Sequence, residues 1–460
     1  MPTKYHINLY ESPNRYPVIG RSGIVDWGEG CLKCAECVKH ECIYDAYRKR
    51  TFSSDIMGDT IDEWCKNCFR CVQGCPKRLI HKTINPEWEA LGDDVYTPDI
   101  ICITWEQAKS GKIPVSGAGY GGPYSGPGFD SMWTDMSEIV RPTRDGIHGR
   151  EYISTTVEIG RKPSMLEFDD AGALVSQLAP SVKVPLPIVF DILPFGDISS
   201  NVLRSMATAA SRLGTRMIVT EQDARELVEW APHLIPLLEG EEWDSEWIAG
   251  LDMVEIPDSP DVMNRVGMLK EMNPELIVSV RVPALAAKLE HVMELAAQGL
   301  DAIHCVADER GYEPGEAEGL HVKDIIRTVH GDLLKASLRD EITFIASGGI
   351  AMAEHVIKAM LCGANLVAVD IPLLIALECR VCRNCVNEVA CPVEISTVDS
   401  EWGARRIVNL MGAWHNQMLE MMGAMGIREA RRLRGEQGRV MFFEDLESET
   451  FGKLFGGSNQ

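Results

Sequence analysis

From about residue 183 onward, short apolar, β-branched runs alternate with stretches of helical period. The runs are PLPIVFDILP (185–194), TRMIVTE (215–221), LDMVEIP (251–257), ELIVSVRV (275–282), DAIHCVA (301–307), EITFIAS (341–347) and NLVAVDI (365–371). Between them lie amphipathic segments such as NVLRSMATAASRLG (201–214) and ALAAKLEHVMELAAQG (284–299). This βαβα order predicts an α/β fold with a parallel sheet and helices outside it. Seven strands are evident, whereas a (β/α)8 barrel needs eight. HLIPLLEG (233–240) is the candidate for the missing strand, and an open doubly wound sheet is the alternative.

Cysteine spacing changes the picture most. Of 15 cysteines, 12 fall in three runs. The first is Cys31, Cys34, Cys37 and Cys42; the second is Cys65, Cys68, Cys71 and Cys75, followed by Pro76. The second matches the bacterial ferredoxin spacing in every position, while the first is one residue longer and has Ile43 in place of the proline. Three cysteines two residues apart wrap one cubane, and the fourth of each paired run reaches the other cluster. The expected ligand sets are therefore Cys31, Cys34, Cys37 and Cys75 for one 4Fe–4S centre, and Cys65, Cys68, Cys71 and Cys42 for the second. Zinc is the alternative, but zinc ribbons use cysteine pairs set further apart. The link of 22 residues between the runs, 43–64, reads as an insertion in a ferredoxin-like ββ unit. The third run, Cys379, Cys382, Cys385 and Cys391 with Pro392, directly follows the last predicted strand, which places a third iron–sulfur cluster at the C-terminal mouth of the barrel.

Ser347-Gly348-Gly349-Ile350 closes a predicted strand and opens a helix. Glycines allow close backbone approach to an anion, and a helix start offers unpaired N–H groups, so this turn is a candidate phosphate site; a plain strand-to-helix turn is the alternative. The expected organisation is a ferredoxin-like two-cluster module (1–95), a Gly/Arg-rich connecting segment packing on the barrel (96–180), the barrel (181–378), a third cluster loop (379–395) and a helical tail (396–460).

Composition excludes some functions. Acidic side chains number 68 against 45 basic ones, a formal charge of −23, which argues against a partner with a phosphate backbone. No apolar run approaches the roughly 20 residues that a bilayer span requires, and no apolar leader opens the chain. A cytoplasmic location is expected, in which the cysteines stay reduced.

At these residues the chain resembles a known family. SGGIAMAEHVIKAMLCGANLVAVDIPLLIALECRVCRNC with the following Cys-Pro is similar to the FMN-binding synthase domain of glutamate synthases. PFGDISSNVLRSMATAASRLG (194–214) resembles that family's first barrel turn, and 405–435 its helical tail; together the resemblance covers roughly residues 130–440. It implies FMN contacts at Gly196, Ser347, Gly348, Gly349, Ile350, Gly363 and Ala364. It aligns the family's flavin-contacting lysine with Arg281, the expected catalytic residue, and its glycine-rich substrate loop with ADERGYEPG (307–315), which keeps little of the pattern. The family's last cysteine run usually has three cysteines and holds a 3Fe–4S cluster; the extra Cys382 points here to 4Fe–4S. There is no glutaminase domain.

The resulting expectation is an electron-transferring FMN oxidoreductase with three iron–sulfur clusters, working with ferredoxin or other redox-protein subunits, in a complex or homo-oligomer. Ferredoxin-dependent glutamate synthesis from 2-oxoglutarate and ammonia, and a non-catalytic relay subunit, are the alternatives.

Other features are weighed against plain readings. Residues 111–128, with Tyr120 and Tyr124, are a linker or a loop over the flavin. Arg141, Arg144, Arg150 and Arg161 form an anion site or interdomain salt bridges. His304 and Cys305 are read as core, with His304 of interest if it faces the mouth. Cys102 and Cys362 are small buried residues, and NQMLEMMGAMG packs a helix interface.

Overall fold

The computed structural model describes residues 5–21, 24–27, 30–32, 34, 36–47, 65, 67–113, 126–134, 152–163, 165–176, 178–315 and 319–455. Most of the 43–64 link, the centre of the 111–128 segment, and Arg141, Arg144 and Arg150 lie outside them.

Near the N-terminus, β1 (Ile24–Trp27) pairs antiparallel with β2 (Ile80–Thr83), and the two strands bracket the first two cysteine runs. Helical turn α1 (Arg70–Gly74) carries Cys71 and packs on the turn Cys37–Glu41. Helix α2 (Pro86–Glu89) and helix α3 (Pro98–Ser110) follow. Thr97 caps α3 by accepting from the Ile100 N–H, and Gly111 at φ 68° ends it.

Beyond β3 (Met132–Thr134) and the antiparallel pair β4 (Val157–Gly160) and β5 (Ser181–Val184), eight parallel strands close into a barrel. These are β6 (Ile188–Phe190), β7 (Met217–Thr220), β8 (Leu234–Leu237), β9 (Met253–Pro257), β10 (Ile277–Pro283), β11 (Ala302–Val306), β12 (Thr343–Ser347) and β13 (Leu366–Val369). The eighth strand is the one anticipated at 233–240, so the sheet is closed and not open. Its helices are α4 (Ser200–Leu213), α5 (Glu221–Glu226), α6 (Ser245–Ala249), α7 (Val262–Met272), α8 (Leu289–Ala297), α9 (Val322–Lys335), α10 (Ala353–Cys362) and α11 (Ile371–Ala376). Ser199 and Thr220 cap α4 and α5 through their hydroxyls. The strand residues are apolar almost throughout because both faces are covered, as parallel sheets require.

The tail helix α12 (Ser400–Ala424) lies against α4 and α3, burying Met411, Met418, Met421 and Met422. The Met-rich stretch thus packs an interface. The chain then returns through β14 (Val440–Phe442), which pairs with β3, to α13 (Phe443–Phe455).

Residues 5–19, expected within the N-terminal module, clamp the tail: Asn409 Nδ2 donates to Tyr10 O at 2.7 Å, and Arg406, fully buried, donates to Ser12 O and Asn14 Oδ1 at 3.1 and 2.7 Å. Trp88, Leu91 and Tyr96 likewise join the barrel's core. Apolar burial decides this, since among the described residues the two-stranded unit has only Tyr47, Cys71 and Ile80 as its own buried cluster. The connecting segment is also part of the body. Its strand β4 reaches the start of β12, where the Gly160 N–H donates to Thr343 Oγ1 at 3.1 Å. Arg161 donates to the carbonyls of Ala296 and Leu300 and pairs with Glu341, which is the structural reading of that arginine.

Gly92 shows how tightly the module's end is fitted to the mouth. Its φ is 71°, and a Cβ there would lie 1.8 Å from the backbone oxygen of Tyr96. Gly92→Ala is expected to cost about 1–3 kcal/mol, the usual cost of forced backbone strain, and to loosen Asp93 from Arg383. Thermal unfolding of the variant checks this; an unchanged midpoint would contradict the fitted loop.

Candidate functional site

The C-terminal ends of the barrel strands open on a cavity enclosing about 1630 Å³ of empty space, continuous with solvent. Asp191, Thr220, Leu237, Arg281, Val306, Ser347 and Asp370, from six strand ends and the helix start after β13, line its floor. This is the face on which barrels of this kind place their chemistry.

Beneath the floor is a buried polar network. Arg281 of β10 donates through Nη1 to Asp191 Oδ1 at 2.8 Å and Glu255 Oε1 at 2.9 Å, and through Nη2 to Asp191 Oδ2 at 3.2 Å. His304 of β11 sets Nδ1 at 3.0 Å from Glu255 Oε2 and Nε2 at 2.9 Å from Ser347 Oγ. Glu255 and His304 are fully buried, and Ser279 donates to Glu255 Oε2 at 3.2 Å. Burial opposes the charges of Asp191 and Glu255, but Arg281 and His304 outweigh it and hold both carboxyls below their usual range. Burial likewise opposes the charge on Arg281, and its two carboxylates raise it further above normal. Arg281 is therefore at the mouth, as expected, but as a committed member of an ionic network.

Ser347-Gly348-Gly349 ends β12. Gly348 and Gly349 have φ of 99° and 67°, and a Cβ on Gly349 would meet Arg310 O and Gly311 Cα at 2.8 Å. Glycine is required because the 308–311 loop lies directly on the turn. The N–H groups of Gly349 and Ile350 make no hydrogen bond among the described residues, and Gly348 beside them lines the cavity. The neighbouring strand end is different. Asp370 accepts from its neighbour Ile371 N–H at 2.6 Å and so fills the start of α11 itself. Burial, reinforced by Asp191, pushes its carboxyl up to about 7.

Two of the expected contacts are corrected. Gly363 and Ala364 precede β13, at the opposite end of the barrel from Ser347. Gly363 (φ 139°) ends α10, packed against His330, so its glycine answers a local fit and not a ligand. Gly196 (φ 123°) sits in the loop after β6, where a Cβ would meet Ile198 Cδ1 at 2.8 Å.

The cysteine runs share a backbone signature that sequence did not reveal. Asn67 and Phe69, on either side of Cys68, have φ of 56° and 58°; Val381 and Arg383, on either side of Cys382, have φ of 53° and 55°. Three residues past the fourth cysteine of each run the φ is positive again, at Asp45, Arg78 and Glu394. None of these is glycine, and each such conformation costs on the order of 1 kcal/mol or more. Alternation of this kind turns successive N–H groups inward to form an anion-binding concavity, as in many iron–sulfur sites. The thiolate-rich donor set fits that environment. The Leu79 N–H donates to Cys75 Sγ at 3.4 Å, and the Val381 N–H to Cys379 Sγ at 3.4 Å. Burial raises the Cys75 thiol, but the N–H groups of residues 77–80 reverse this and lower it overall.

Cys42, Cys65, Cys68 and Cys71 together line one pocket of about 370 Å³ of empty space, with Tyr44, Tyr47, Phe69 and Lys82. This is the crossed grouping that the spacing suggested. Lys82 donates to Cys65 Sγ. Cys31 and Cys34 are exposed, while Cys37 and Cys75 flank the small core of the module.

The third run is wired to the cavity by Arg383, two residues before Cys385. Arg383 pairs with Asp93 at 3.2 Å and with Glu309, and lies 4.8 Å over the Phe195 ring. Asp93, Glu309 and Arg383 all line the cavity.

Elsewhere, Asp130, Glu354 and His355 bring possible ligand atoms within 4.8 Å of one another. The Ala351 N–H donates to His355 Nδ1 at 3.1 Å, which leaves the proton of a neutral ring on Nε2, facing Asp130 Oδ1 at 3.5 Å. Lys358 pairs with Glu354 at 3.3 Å and donates to Phe129 O at 2.8 Å. Through Lys358 to Phe129 O and His355 to Asp130 the group ties the 126–134 segment to α10. Cys102 is half-buried and Cys305 and Cys362 are buried, as small core residues. No helix among the described residues is long and apolar enough to cross a membrane.

Comparison with known proteins adds a family. A profile described as "Conserved region in glutamate synthase" matches residues 245–428. The archaeal glutamate synthase [NADPH] of Methanocaldococcus jannaschii is 27% identical over 96% of this chain and 95% of its own length. The archaeal-type glutamate synthase [NADPH] of Dehalococcoides mccartyi is 25% identical over 88% and 92%. Among solved structures, mandelate oxidase superposes on 66% of this chain and 97% of its own with a TM-score of 0.39 at 13% identity. The conserved region spans the strands that build the cavity floor from β9 to β13 together with the third cysteine run and α12, and the near full-length matches extend through the first two runs. The chain carries the conserved region of glutamate synthases over residues 245–428 and is an oxidoreductase of the glutamate synthase-like type.

Proposed function

We propose that this chain is an FMN- and iron–sulfur-dependent glutamate synthase, which reduces the condensation product of 2-oxoglutarate and ammonia with electrons from ferredoxin or a partner redox subunit. The observation that carries this reading is the meeting, at one barrel mouth, of the Ser347–Ile350 turn and the Cys379–Cys391 loop, in a chain similar over nearly its whole length to archaeal glutamate synthases. FMN would be held by the Gly349 and Ile350 amides beside Gly348, with Arg281 facing its ring and Gly196 in the adjoining loop. When bound, it couples one-electron supply from clusters to two-electron chemistry on a substrate.

The chain's own residues do the rest. Arg281, fixed by Asp191 and Glu255, presents its remaining donor face to the cavity. Asp93 and Asp94, from the end of the N-terminal module, close over the mouth through Arg383 and Arg310, which narrows the access of water. The cysteine sets Cys31/Cys34/Cys37/Cys75, Cys65/Cys68/Cys71/Cys42 and Cys379/Cys382/Cys385/Cys391 would hold three 4Fe–4S clusters. The test is anaerobic purification with FMN, iron and sulfide counted per chain, then turnover of 2-oxoglutarate and ammonia with reduced ferredoxin or NADPH. Glutamate formation supports the reading. Cluster-loaded protein that binds no added FMN rules it out.

One observation favours a second reading. Seven carboxylates face the cavity against three guanidiniums, Arg281, Arg310 and Arg383, and each guanidinium is already paired. No uncommitted cation among the described residues awaits the two carboxylates of 2-oxoglutarate. The same redox chemistry would then act on a neutral or amine-bearing substrate. Flavin reoxidation by a cyclic or primary imine, with none by 2-oxoglutarate and ammonia, would establish it.

A further inference from the structure

The network under the cavity floor contains an ordered chain that redox chemistry at the mouth does not by itself explain. We propose that Ser347, His304 and Glu255 form a proton relay serving the reacting heteroatom of the substrate; this rests on the oxidoreductase reading and assigns the acid–base partner within it. Three observations carry it. Glu255, a carboxylate at neutral pH, can only accept, so His304 Nδ1, at 3.0 Å from Oε2 and 3.2 Å from Oε1, bears a proton. That leaves Nε2, at 2.9 Å from Ser347 Oγ, free to exchange a proton with the hydroxyl. Ser347 in turn lines the cavity, at the foot of the turn proposed to hold the flavin phosphate.

The order hydroxyl–imidazole–carboxylate is the one that activates serine nucleophiles. Here Ser347 is only 2% exposed, which suits transfer of a proton and not attack on a bulky carbonyl. The groups facing His304 come from four strands: Glu255 (β9), Arg281 (β10), Asp191 (β6) with Oδ2 at 3.8 Å, and Ser347 (β12). A proton arriving on Nε2 meets two carboxylates and one guanidinium, so the floor holds a compensating negative charge for it.

The step balances. A bound flavin would supply the two-electron acceptor or donor for the substrate carbon's hydride; in the oxidative direction the chain's part is to take the proton. The substrate's N–H or O–H proton passes to Ser347 Oγ as the serine's own proton passes to His304 Nε2, and the imidazolium is paired with Glu255. In the reductive direction the same proton returns to the heteroatom as the carbon receives the hydride. No other oxidant or reductant is consumed. His304 and Glu255 act through Ser347 and are positioning residues; Ser347 is the group that meets the substrate.

Two measurements on the purified, cluster-loaded chain test this. Nitrogen-15 NMR of labelled histidines, assigned with His304→Gln, should show His304 protonated on Nδ1, with its Nε2 resonance displaced in Ser347→Ala. A proton fixed on Nε2 with none on Nδ1 overturns the relay, whether or not any substrate is known. With a turned-over substrate, Ser347→Ala should lower kcat by roughly 10²–10⁴-fold at unchanged KM, and abolish the solvent deuterium isotope effect. Ser347→Thr, which keeps the hydroxyl, should restore most of the rate. A Ser347→Ala enzyme that keeps the parental kcat and isotope effect overturns the relay while leaving the oxidoreductase reading intact. Absence of turnover with the Nδ1 tautomer present places the failure in the substrate reading instead.

Discussion

Arg281→Met is expected to destabilise the protein by about 3–5 kcal/mol at neutral pH, the usual consequence of removing one partner from a buried ion pair. Asp191 is 2% exposed and Glu255 fully buried, and Arg281 bonds to both. Methionine would leave two buried carboxylates near one imidazole. In the parent both carboxyls are depressed below their usual range. Their contribution is therefore complete above the unfolded values of roughly 4, and is lost as pH falls through the lower folded values. In the variant the sign reverses: the unpaired carboxylates favour protonation, so the stability deficit is largest at neutral pH and shrinks towards pH 5. Thermal or urea unfolding at the two pH values measures this. Adding Glu255→Gln to Arg281→Met should recover part of the loss, because it removes the second uncompensated charge. A variant as stable as the parent at neutral pH would mean that water or a rearranged side chain solvates the floor, and the buried network would not be the organising feature of the mouth.

The barrel was largely legible in the sequence, and the reasons are physical. Strands covered on both faces must be apolar over their length, and this separates them from the amphipathic helices. The eighth strand, Leu234–Leu237, was faint because Pro236 interrupts the β pattern and the strand is only four residues long. The network was hidden for the opposite reason. Asp191, Glu255, Arg281 and His304 are isolated polar letters, each inside or beside a different apolar run, and only closure of the sheet brings them together. Asp191 and Arg281 stand towards the C-terminal ends of their runs, which in a barrel is one place, whereas Glu255 and His304 stand mid-strand, one layer beneath. The left-handed residues Asn67, Phe69, Val381 and Arg383 gave no sequence signal at all, since glycine usually marks such positions. Glycine did mark Gly363, which aligned with the flavin contacts but belongs to the far end of the barrel, where it makes room for His330.

The cysteine spacing points more firmly to which residues would hold metal than to which would share a cluster, and here the structure allows a sharp test. Cys42 belongs to the first run in sequence but to the pocket of Cys65, Cys68 and Cys71 in space. Each cubane should contribute about four irons per chain. Cys42→Ala and Cys68→Ala should each remove one such complement, and the double variant should remove no more than either alone, because both lesions strike one cluster. Cys42→Ala combined with Cys34→Ala should remove two complements, about eight irons, although both residues come from the same run. The converse pairing, Cys34→Ala with Cys75→Ala, should again cost one. Iron and sulfide analysis after anaerobic purification reads the counts, and the FMN content serves as a control that the barrel has folded. If the losses instead follow the runs, with Cys42 and Cys34 non-additive, the crossed arrangement fails, and the fourth cysteine of each run would close its own cluster. In the crossed arrangement each cluster ties together both halves of a short two-stranded unit whose buried apolar cluster, among the described residues, is Tyr47, Cys71 and Ile80. Metal binding then supplies the stability which that small core lacks.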